Sequence, residues 1–250
     1  VGKSSLTNSL LQEDRTIVTP IAGTTRDAVD VFLKWHGNDV TLVDTAGIRK
    51  LAKIKDKIEY YSILRTSKAI KVANVVLVLI DAEKGFGKQD KKIVDDVISY
   101  GKGMILVVNK WDLISKDNHT MKIFQEKIRH QFKSLDHFPI LFISSLTKQR
   151  IHRVLELSWE VYARGKKIIP TKSLNSQLKN ILMKNPPPIE NGKMVKIKYA
   201  TQVSYEPTVF AFYTNSSKKM KISYQRYLEN QLRSKFNLLG VPIHLSFRRK

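Results

Sequence analysis

Several short polar segments of this 250-residue chain follow apolar runs or precede helical ones, and their residue types suit phosphate chemistry. Gly2-Lys3-Ser4 matches the last three residues of the phosphate-binding loop G-x-x-x-x-G-K-[ST], and a helical pattern follows it. Asp44-Thr45-Ala46-Gly47 comes directly after the apolar residues 41–43. A carboxylate at the end of a strand can hold a Mg²⁺ shell, and the glycine behind it lets a backbone N–H approach a γ-phosphate.

A further segment, Asn109-Lys110-Trp111-Asp112, follows the apolar residues 105–108 and has the chemistry needed to read a nucleobase. The Asp112 carboxylate can accept the N1–H and the exocyclic N2–H₂ of guanine, a pair of donors that adenine does not offer. A buried acceptor left without its donor costs roughly 1–3 kcal/mol, which is enough for strong discrimination between bases. Asn109 and the Lys110 stem would brace the loop and cover the base.

Two weaker segments complete the pattern. Ser144-Ser145-Leu146 follows residues 140–143, and backbone amides there could meet the guanine O6 atom. In Gly23-Thr24-Thr25-Arg26-Asp27 a Thr hydroxyl can ligate Mg²⁺ while its N–H touches a γ-phosphate. Each segment alone has an ordinary explanation as a helix start, a polar turn or a flexible loop. Because all of them occur in this order, four of them beside predicted strands, the sequence predicts a GTP-binding domain.

The elements that must position these segments can be predicted from apolar periodicity. Continuous β-branched runs at 75–80, 104–108 and 139–143 are typical of strands buried on both faces, as in a parallel sheet. Helical patterns lie around them, at about 88–100, 119–134 and 149–164. This alternation predicts a doubly wound α/β domain with a mostly parallel sheet. Residues 29–35 and 40–43 flank a turn at 36–39 and predict an antiparallel hairpin.

A second unit is predicted after a boundary near residues 168–171. A helix at about 173–184, strands at 194–202 and 208–214, a helix at 221–236 and a strand at 243–247 give the order α-β-β-α-β. This pattern indicates a small α+β domain, so we divide the chain into domains 1–168 and 169–250. Residues 171–250 carry 15 Lys and Arg against three acids, a net charge of +12, in less than half the length of the chain.

Composition excludes several other classes of protein. The 42% hydrophobic and 26% charged residues are typical of a globular chain. Because Cys is absent, thiol catalysis, disulfides and thiolate metal sites are ruled out, and the six His are too scattered to predict a zinc site. Apolar runs are too short to predict a membrane span. The formal net charge of +22 favours a polyanionic partner such as a nucleic acid or the ribosome.

The residues around these motifs resemble the EngA/Der family of assembly GTPases. The resemblance is carried by the segments Ala22 to Asp27, Asp44 to Arg49, Ile58 to Ser62 with Leu64-Arg65, Tyr199 to Val203, Ser223 to Asn230 and Gly240 to Ile243. It implies a P-loop GTPase domain followed by a KH-like domain, the second and third of three domains in that family. The first GTPase domain would precede Val1. The resemblance further implies a cytoplasmic protein that contacts rRNA of the large ribosomal subunit during its maturation.

The resemblance also assigns roles to residues. Lys3 would contact the β- and γ-phosphates, Ser4, Thr25 and Asp44 would hold Mg²⁺, and Thr24 is the less favoured alternative to Thr25. Lys3, Thr25 and Gly47 would take part in catalysis. The implied nucleotide-binding residues are Gly2, Lys3, Ser4, Ser5, Asp44, Gly47, Asn109, Lys110, Asp112, Ser144, Ser145 and Leu146.

One position departs from the Ras-like pattern. The residue after Gly47 is Ile48, where Ras-like enzymes have a Gln that orients the attacking water. Resemblance to GTPases with a hydrophobic residue there implies slow turnover and a K⁺ ion beside the phosphates. We also expect the 250-residue chain to bind GTP poorly, because the first strand and most of the phosphate loop would precede Val1.

Three other interpretations remain open. An Era-like rRNA-binding GTPase predicts a G-x-x-G loop in the C-terminal domain, which the sequence lacks. A tRNA-modification GTPase shares the Gly-Thr-Thr-Arg-Asp segment but predicts a C-terminal Cys. A non-hydrolysing RNA-binding fragment is the third, and a K⁺-dependent GTPase assay separates it from an enzyme.

Overall fold

A computed structural model of the protein describes residues 2–12, 16–18, 30–43, 66–190, 193–215 and 220–249. The chain begins with helix α1 (Lys3–Leu11), and three strands follow: β1 (Thr16–Val18), β2 (Val31–Trp35) and β3 (Asn38–Leu42). These strands form an antiparallel sheet in the order β1-β2-β3. The β2–β3 pair is the hairpin that the sequence predicts.

A parallel three-stranded sheet forms the centre of the first domain. It consists of β4 (Val75–Asp81), β5 (Gly103–Asn109) and β6 (Ile140–Phe142), in that order. Helix α2 (Lys88–Ser99) connects β4 to β5, and α3 (Thr120–Gln131) lies between β5 and β6; α4 (His152–Gly165) follows β6. Within the described residues, the parallel strands and their helical crossovers confirm the predicted α/β class.

Strand β5 is covered on both of its faces, which explains its continuous apolar sequence. Ile105 and Val107 belong to the buried cluster that includes residues of α1 and α4. Met104, Leu106 and Val108 belong to a second cluster with residues of α2 and α3. All five side chains have no exposed surface. Because helices cover the sheet on both sides, the domain is doubly wound, and the carboxyl ends of its strands meet at one edge.

The C-terminal part is a small α+β unit. It contains α5 (Thr171–Lys184), β9 (Ile197–Tyr205), β10 (Thr208–Thr214), α6 (Ile222–Phe236) and β11 (Ile243–Arg249), with a short β7 (Ile189–Glu190) and β8 (Lys193–Met194) pair after α5. The sheet order is β11-β10-β9; β9 is antiparallel to β10, and β11 is parallel to it. Helix α6 buries Tyr224, Leu228, Leu232 and Phe236 on one face, and Tyr227 beside them is partly buried.

The loop after α6 packs the C-terminal unit against the amino-terminal end of β5. The Gly240 N–H donates to the His137 carbonyl at 2.8 Å, and the Gly240 carbonyl accepts from the Met104 N–H at 2.9 Å. Gly240 has φ +85°, and a Cβ there would lie 2.6 Å from the Val161 side chain. Only glycine therefore fits this contact. The two units share one buried apolar cluster, which extends from Leu10 and Ile105 to Leu232.

Some boundaries differ from those predicted. The hairpin turn has two residues, His36 and Gly37, instead of the four at 36–39, and both have positive φ, which the right-handed twist of paired strands favours. The helix predicted at 149–164 begins at His152, since Arg150 has φ 58° and cannot be helical. The strand predicted at 194–202 runs from Ile197 to Tyr205. In the described part of the chain, no helix has the length and apolarity needed to cross a bilayer.

Candidate functional site

Gly2 forms the amino-terminal boundary of α1 and lies against the end of β5. Its φ of +88° is in the left-handed region, and its carbonyl accepts the first helical hydrogen bond from the Leu6 N–H at 2.9 Å. A Cβ added to Gly2 would lie 2.3 Å from Nδ2 of Asn109. The start of α1 therefore depends on a glycine for both its backbone conformation and its close approach to Asn109.

Asn109 is the last residue of β5 and connects two loops. Its side chain is 1% exposed, and its Oδ1 accepts hydrogen bonds from the Ser145 N–H and the Ser145 hydroxyl, each at 3.0 Å. The Ser9 hydroxyl lies 2.7 Å from the Ser145 carbonyl and 2.8 Å from the Ser5 carbonyl, so it can donate to either. Through these bonds α1, the end of β5 and the loop after β6 hold one another in place.

Lys110 pairs with Asp81, a residue that the sequence interpretation missed. Its Nζ lies 2.7 Å from Asp81 Oδ2, and the Asp81 side chain is only 4% exposed. The hydrogen bond from Lys110 is the main cause that lowers the pKa of Asp81, and the same bond raises the pKa of Lys110. Asp81 ends β4 directly after the apolar run 75–80, so its position at a strand end was the available signal.

Asp112 lies in a short 3₁₀ helix, Trp111–Leu113, that follows β5. This turn is anchored by the buried Trp111 ring, whose centroid is 4.4 Å from that of Phe142 and 5.5 Å from that of Phe124. The Asp112 Oδ1 atom is buried and has no hydrogen-bond partner among the described residues. An acceptor in this state gains from a ligand that brings N–H donors. The donor set of a guanine edge fits that requirement.

The loop after β6 contains the predicted residues Ser144, Ser145 and Leu146. Ser144 is fully buried, and its hydroxyl accepts the Thr147 N–H at 3.0 Å, while Ser145 binds Asn109. The Leu146 side chain is 83% exposed. The loop is thus held in place by its two serines. Leu146 projects into solvent and packs hardly at all against the core of the described residues.

The residues predicted to bind phosphates and metal are described only in part. Lys3 and Ser5 are exposed in the first turn of α1, and Ser4 is half-buried there. A helix amino terminus favours anions because its first N–H groups have no partner within the helix. Thr25, Asp44 and Gly47 lie outside the described residues. Within the described ranges, no group of three His, Asp or Glu side chains could hold a metal.

Two family models match the chain. Residues 1–110 match the model described as 50S ribosome-binding GTPase. Residues 169–248 match the model described as the C-terminal KH-domain-like domain of EngA bacterial GTPase enzymes. The order of the two matches is the order of the two units in the fold.

Curated relatives extend the similarity over the whole chain. GTPase Der from Amoebophilus asiaticus (strain 5a2) is 48% identical over 250 residues, which are all of this chain and 58% of that protein. GTPase Der from Streptococcus pneumoniae (strain Hungary19A-6) is 47% identical over 251 aligned residues, again 58% of its length. The chain therefore spans somewhat more than half the length of these relatives.

Solved structures show a related fold. Era in complex with MgGDPNP and nucleotides 1506–1542 of 16S ribosomal RNA has a TM-score of 0.50 and 22% identity, covering 100% of this chain and 89% of that chain. Aquifex aeolicus Era bound to GDP.AlF4- has a TM-score of 0.50 and 19% identity, with the same two coverages.

The fold and the two family models together define a P-loop GTPase domain followed by a KH-like domain. Over its whole length the chain is similar to GTPase Der, and its C-terminal unit matches the EngA KH-like model.

Proposed function

We propose that this chain binds guanine nucleotides at the carboxyl edge of the β4-β5-β6 sheet. The observation that carries the proposal is the unpaired, buried Asp112 Oδ1 beside a loop that Asn109 and Ser145 hold rigid. In this proposal Asp112 accepts the two guanine N–H donors, and backbone amides of residues 144–146 meet O6. Because the loops are fixed before the base arrives, little conformational entropy is lost on binding.

The phosphate part of the site is proposed to lie at the start of α1. Gly2, Lys3, Ser4 and Ser5 present backbone N–H groups and one ammonium to the β- and γ-phosphates. The exposed position of Lys3 in the first turn of α1 supports this assignment. Asp112 and Lys3 would thus bind opposite ends of one nucleotide.

The catalytic part rests on the family and on the sequence. We propose that Ser4, Thr25 and Asp44 hold Mg²⁺, and that Lys3, Thr25 and Gly47 contact the γ-phosphate during hydrolysis of GTP to GDP and phosphate. Bound Mg²⁺ would neutralise negative charge on the β- and γ-oxygens. Since Ile48 cannot orient a water molecule, we further propose a slow reaction that K⁺ stimulates.

The proposed biological role is maturation of the large ribosomal subunit in the bacterial cytoplasm. Two observations support it: the match to the 50S ribosome-binding GTPase model and the net charge of +12 on residues 171–250. Exposed basic side chains of this unit lie on α5, β11 and the bulge of β9, including Lys172, Lys179, Arg248 and Lys198. Such residues would contact rRNA phosphates without reading sequence. The relatives' longer chains support a further GTPase domain as partner.

The proposal that Asp112 reads the base is tested by changing the hydrogen-bonding groups that residue 112 offers to it. GDP, ADP and xanthosine diphosphate are titrated by calorimetry against the 250-residue chain and against the full natural gene product, as wild type and as Asp112→Asn. Asn presents an N–H₂ donor, which matches the extra carbonyl of xanthine and not the amino group of guanine. We expect the variant to lose at least 100-fold in GDP affinity and to gain xanthosine diphosphate affinity.

Asp95→Asn is the matched control, because Asp95 is an exposed carboxylate on α2. It should bind all three nucleotides as the wild type does. A wild-type protein that binds ADP as tightly as GDP would disprove the proposal. Phosphate release from GTP in KCl and in NaCl then distinguishes a hydrolysing protein from a nucleotide-dependent RNA binder.

A further inference from the structure

The ends of β4 and β5 place Asp81 next to the base-reading loop. The two strands are parallel, and Asp81 and Asn109 are partners in register at their carboxyl ends. The ladder continues one residue further, since the Ala82 N–H donates to the Asn109 carbonyl at 3.0 Å. Lys110 follows Asn109 directly, and its Nζ reaches back across the strand pair to Asp81 Oδ2 at 2.7 Å.

The Asp81 carboxylate needs this partner because it is buried. Its side chain is 4% exposed, and besides Lys110 it accepts the Glu83 N–H at 3.1 Å through Oδ1. A buried charge that loses its counter-ion is strongly unfavourable, so the pair holds together. The Lys110 side chain keeps 40% of its surface exposed. Its hydrocarbon stem is therefore fixed at the far end while remaining accessible from solvent.

The Lys110 backbone is also constrained. It has φ 62°, which is uncommon for a residue other than glycine. Such a conformation persists where the surrounding structure enforces it. Here the buried Trp111 ring follows the residue, and the ion pair fixes the end of its side chain. Both constraints set the direction in which the stem leaves the loop.

We propose that Asp81 is a positioning residue for the guanine-nucleotide site, acting through Lys110. The inference rests on the proposed function, in which the Lys110 stem covers the base that Asp112 reads. By holding Nζ, Asp81 fixes the stem against the nucleotide before binding, so that binding does not have to order a long flexible side chain. Asp81 itself touches no part of the nucleotide.

A double-mutant cycle tests this coupling, since residues that act through one another have non-additive effects. GDP affinity is measured for the wild type, Asp81→Asn, Lys110→Met and the double variant, in the full natural gene product and in the 250-residue chain. We expect Asp81→Asn to weaken GDP binding roughly tenfold, corresponding to a coupling of about 1.4 kcal/mol. In the Lys110→Met background, Asp81→Asn should have no further effect on GDP affinity.

Two more variants separate positioning from folding. Asp81→Glu keeps the charge and should recover most of the lost affinity. Asp39→Asn removes a carboxylate that is 86% exposed and pairs with Lys34 at 3.5 Å, and it should leave GDP binding unchanged. Thermal unfolding of every variant shows whether each is folded at the temperature of the titration.

The outcomes are distinct. Wild-type GDP affinity in Asp81→Asn, or additive losses in the double variant, would overturn the positioning role while leaving the nucleotide site intact. A wild-type protein without preference for guanine nucleotides would overturn the proposed function, and the positioning role with it.

Discussion

Asn109 Oδ1 accepts two hydrogen bonds from one residue, Ser145, through its main-chain N–H and its hydroxyl, both at 3.0 Å. The two residues are 36 positions apart in sequence; Asn109 ends β5, and Ser145 lies in the loop that follows the neighbouring parallel strand β6. The bonds therefore join the loop that carries Asp112 to the loop that carries Leu146. Loops held in this way can present a base-binding surface without first ordering themselves.

Removing the Asn109 side-chain oxygen should make both loops less stable. Asn109→Ala leaves the buried Ser145 N–H without its acceptor, at a cost of about 1–3 kcal/mol in the free energy of unfolding. Nucleotide affinity should fall as well, because the two loops lose their link. Chemical denaturation and GDP titration measure the two effects. Asn180→Ala, at an exposed position on α5, should change neither quantity.

The Ser9 hydroxyl should contribute to stability by joining α1 to the loop after β6. Ser9→Ala removes its contact with the Ser145 carbonyl and should lower the free energy of unfolding by about 1 kcal/mol. Ser158→Ala is a matched control, since the Ser158 hydroxyl donates to Val154 within one helix. If both variants lose equal stability in urea denaturation, the Ser145 contact contributes nothing.

Alanine substitutions at Gly2 and Gly85 can distinguish the cost of a left-handed backbone conformation from the cost of a steric clash. Both have positive φ, +88° and +70°, but a Cβ on Gly85 would meet no atom within 4 Å, whereas one on Gly2 would meet Asn109. Gly85→Ala should therefore cost only the left-handed conformation, roughly 1–2 kcal/mol. Gly2→Ala should cost more and should also weaken GDP binding. If Gly2→Ala and Gly85→Ala lower thermal stability equally and Gly2→Ala keeps its GDP affinity, the close approach of Gly2 to Asn109 does not matter.

The Asp81–Lys110 pair should make stability depend on pH at both extremes. The pKa of Asp81 is lowered, so its contribution is complete above the ordinary aspartate pKa of about 3.9 and is lost as pH falls further. The pKa of Lys110 is raised, so its contribution is complete below about 10.4 and is lost as pH rises further. The difference in unfolding free energy between wild type and Asp81→Asn should be flat between these limits. A difference that varies around pH 7 would contradict the assignment.

The basic C-terminal unit should determine how RNA affinity responds to salt. Lys172→Gln with Lys179→Gln removes two exposed charges from α5 and should reduce the slope of log affinity against log salt by roughly 1.5–2, measured with large-subunit rRNA. Lys88→Gln with Lys92→Gln removes two exposed charges from α2 and should leave the slope unchanged. Equal reductions of the slope in the two double variants would show that RNA binding depends on overall charge alone.

Local sequence patterns were sufficient to predict the central strands and their succession along the chain, although several strand boundaries differ. The continuous apolar run of β5 and the polar residues after it placed Asn109 and Asp112 at one edge of a parallel sheet. Asp81 was not predicted, because a single carboxylate after an apolar run does not reveal which side chain it meets. The contacts of Ser9 and Gly240 join residues more than 100 positions apart, so no periodicity encodes them. Only the packed structure brings such residues together.

Strand β5 runs from the contact with the C-terminal unit to the loop that carries Asp112. At its first residues, the Met104 N–H binds the Gly240 carbonyl of the KH-like unit, and at its last residue Asn109 fixes the loop with Asp112. The distance between these points is about 17 Å at the usual rise of a strand. This stretch is hydrogen-bonded to a neighbouring strand on each side and is buried on both faces. We therefore expect it to be rigid. A displacement of one end must therefore reach the other, so the contact with the C-terminal unit and the loop with Asp112 are mechanically coupled.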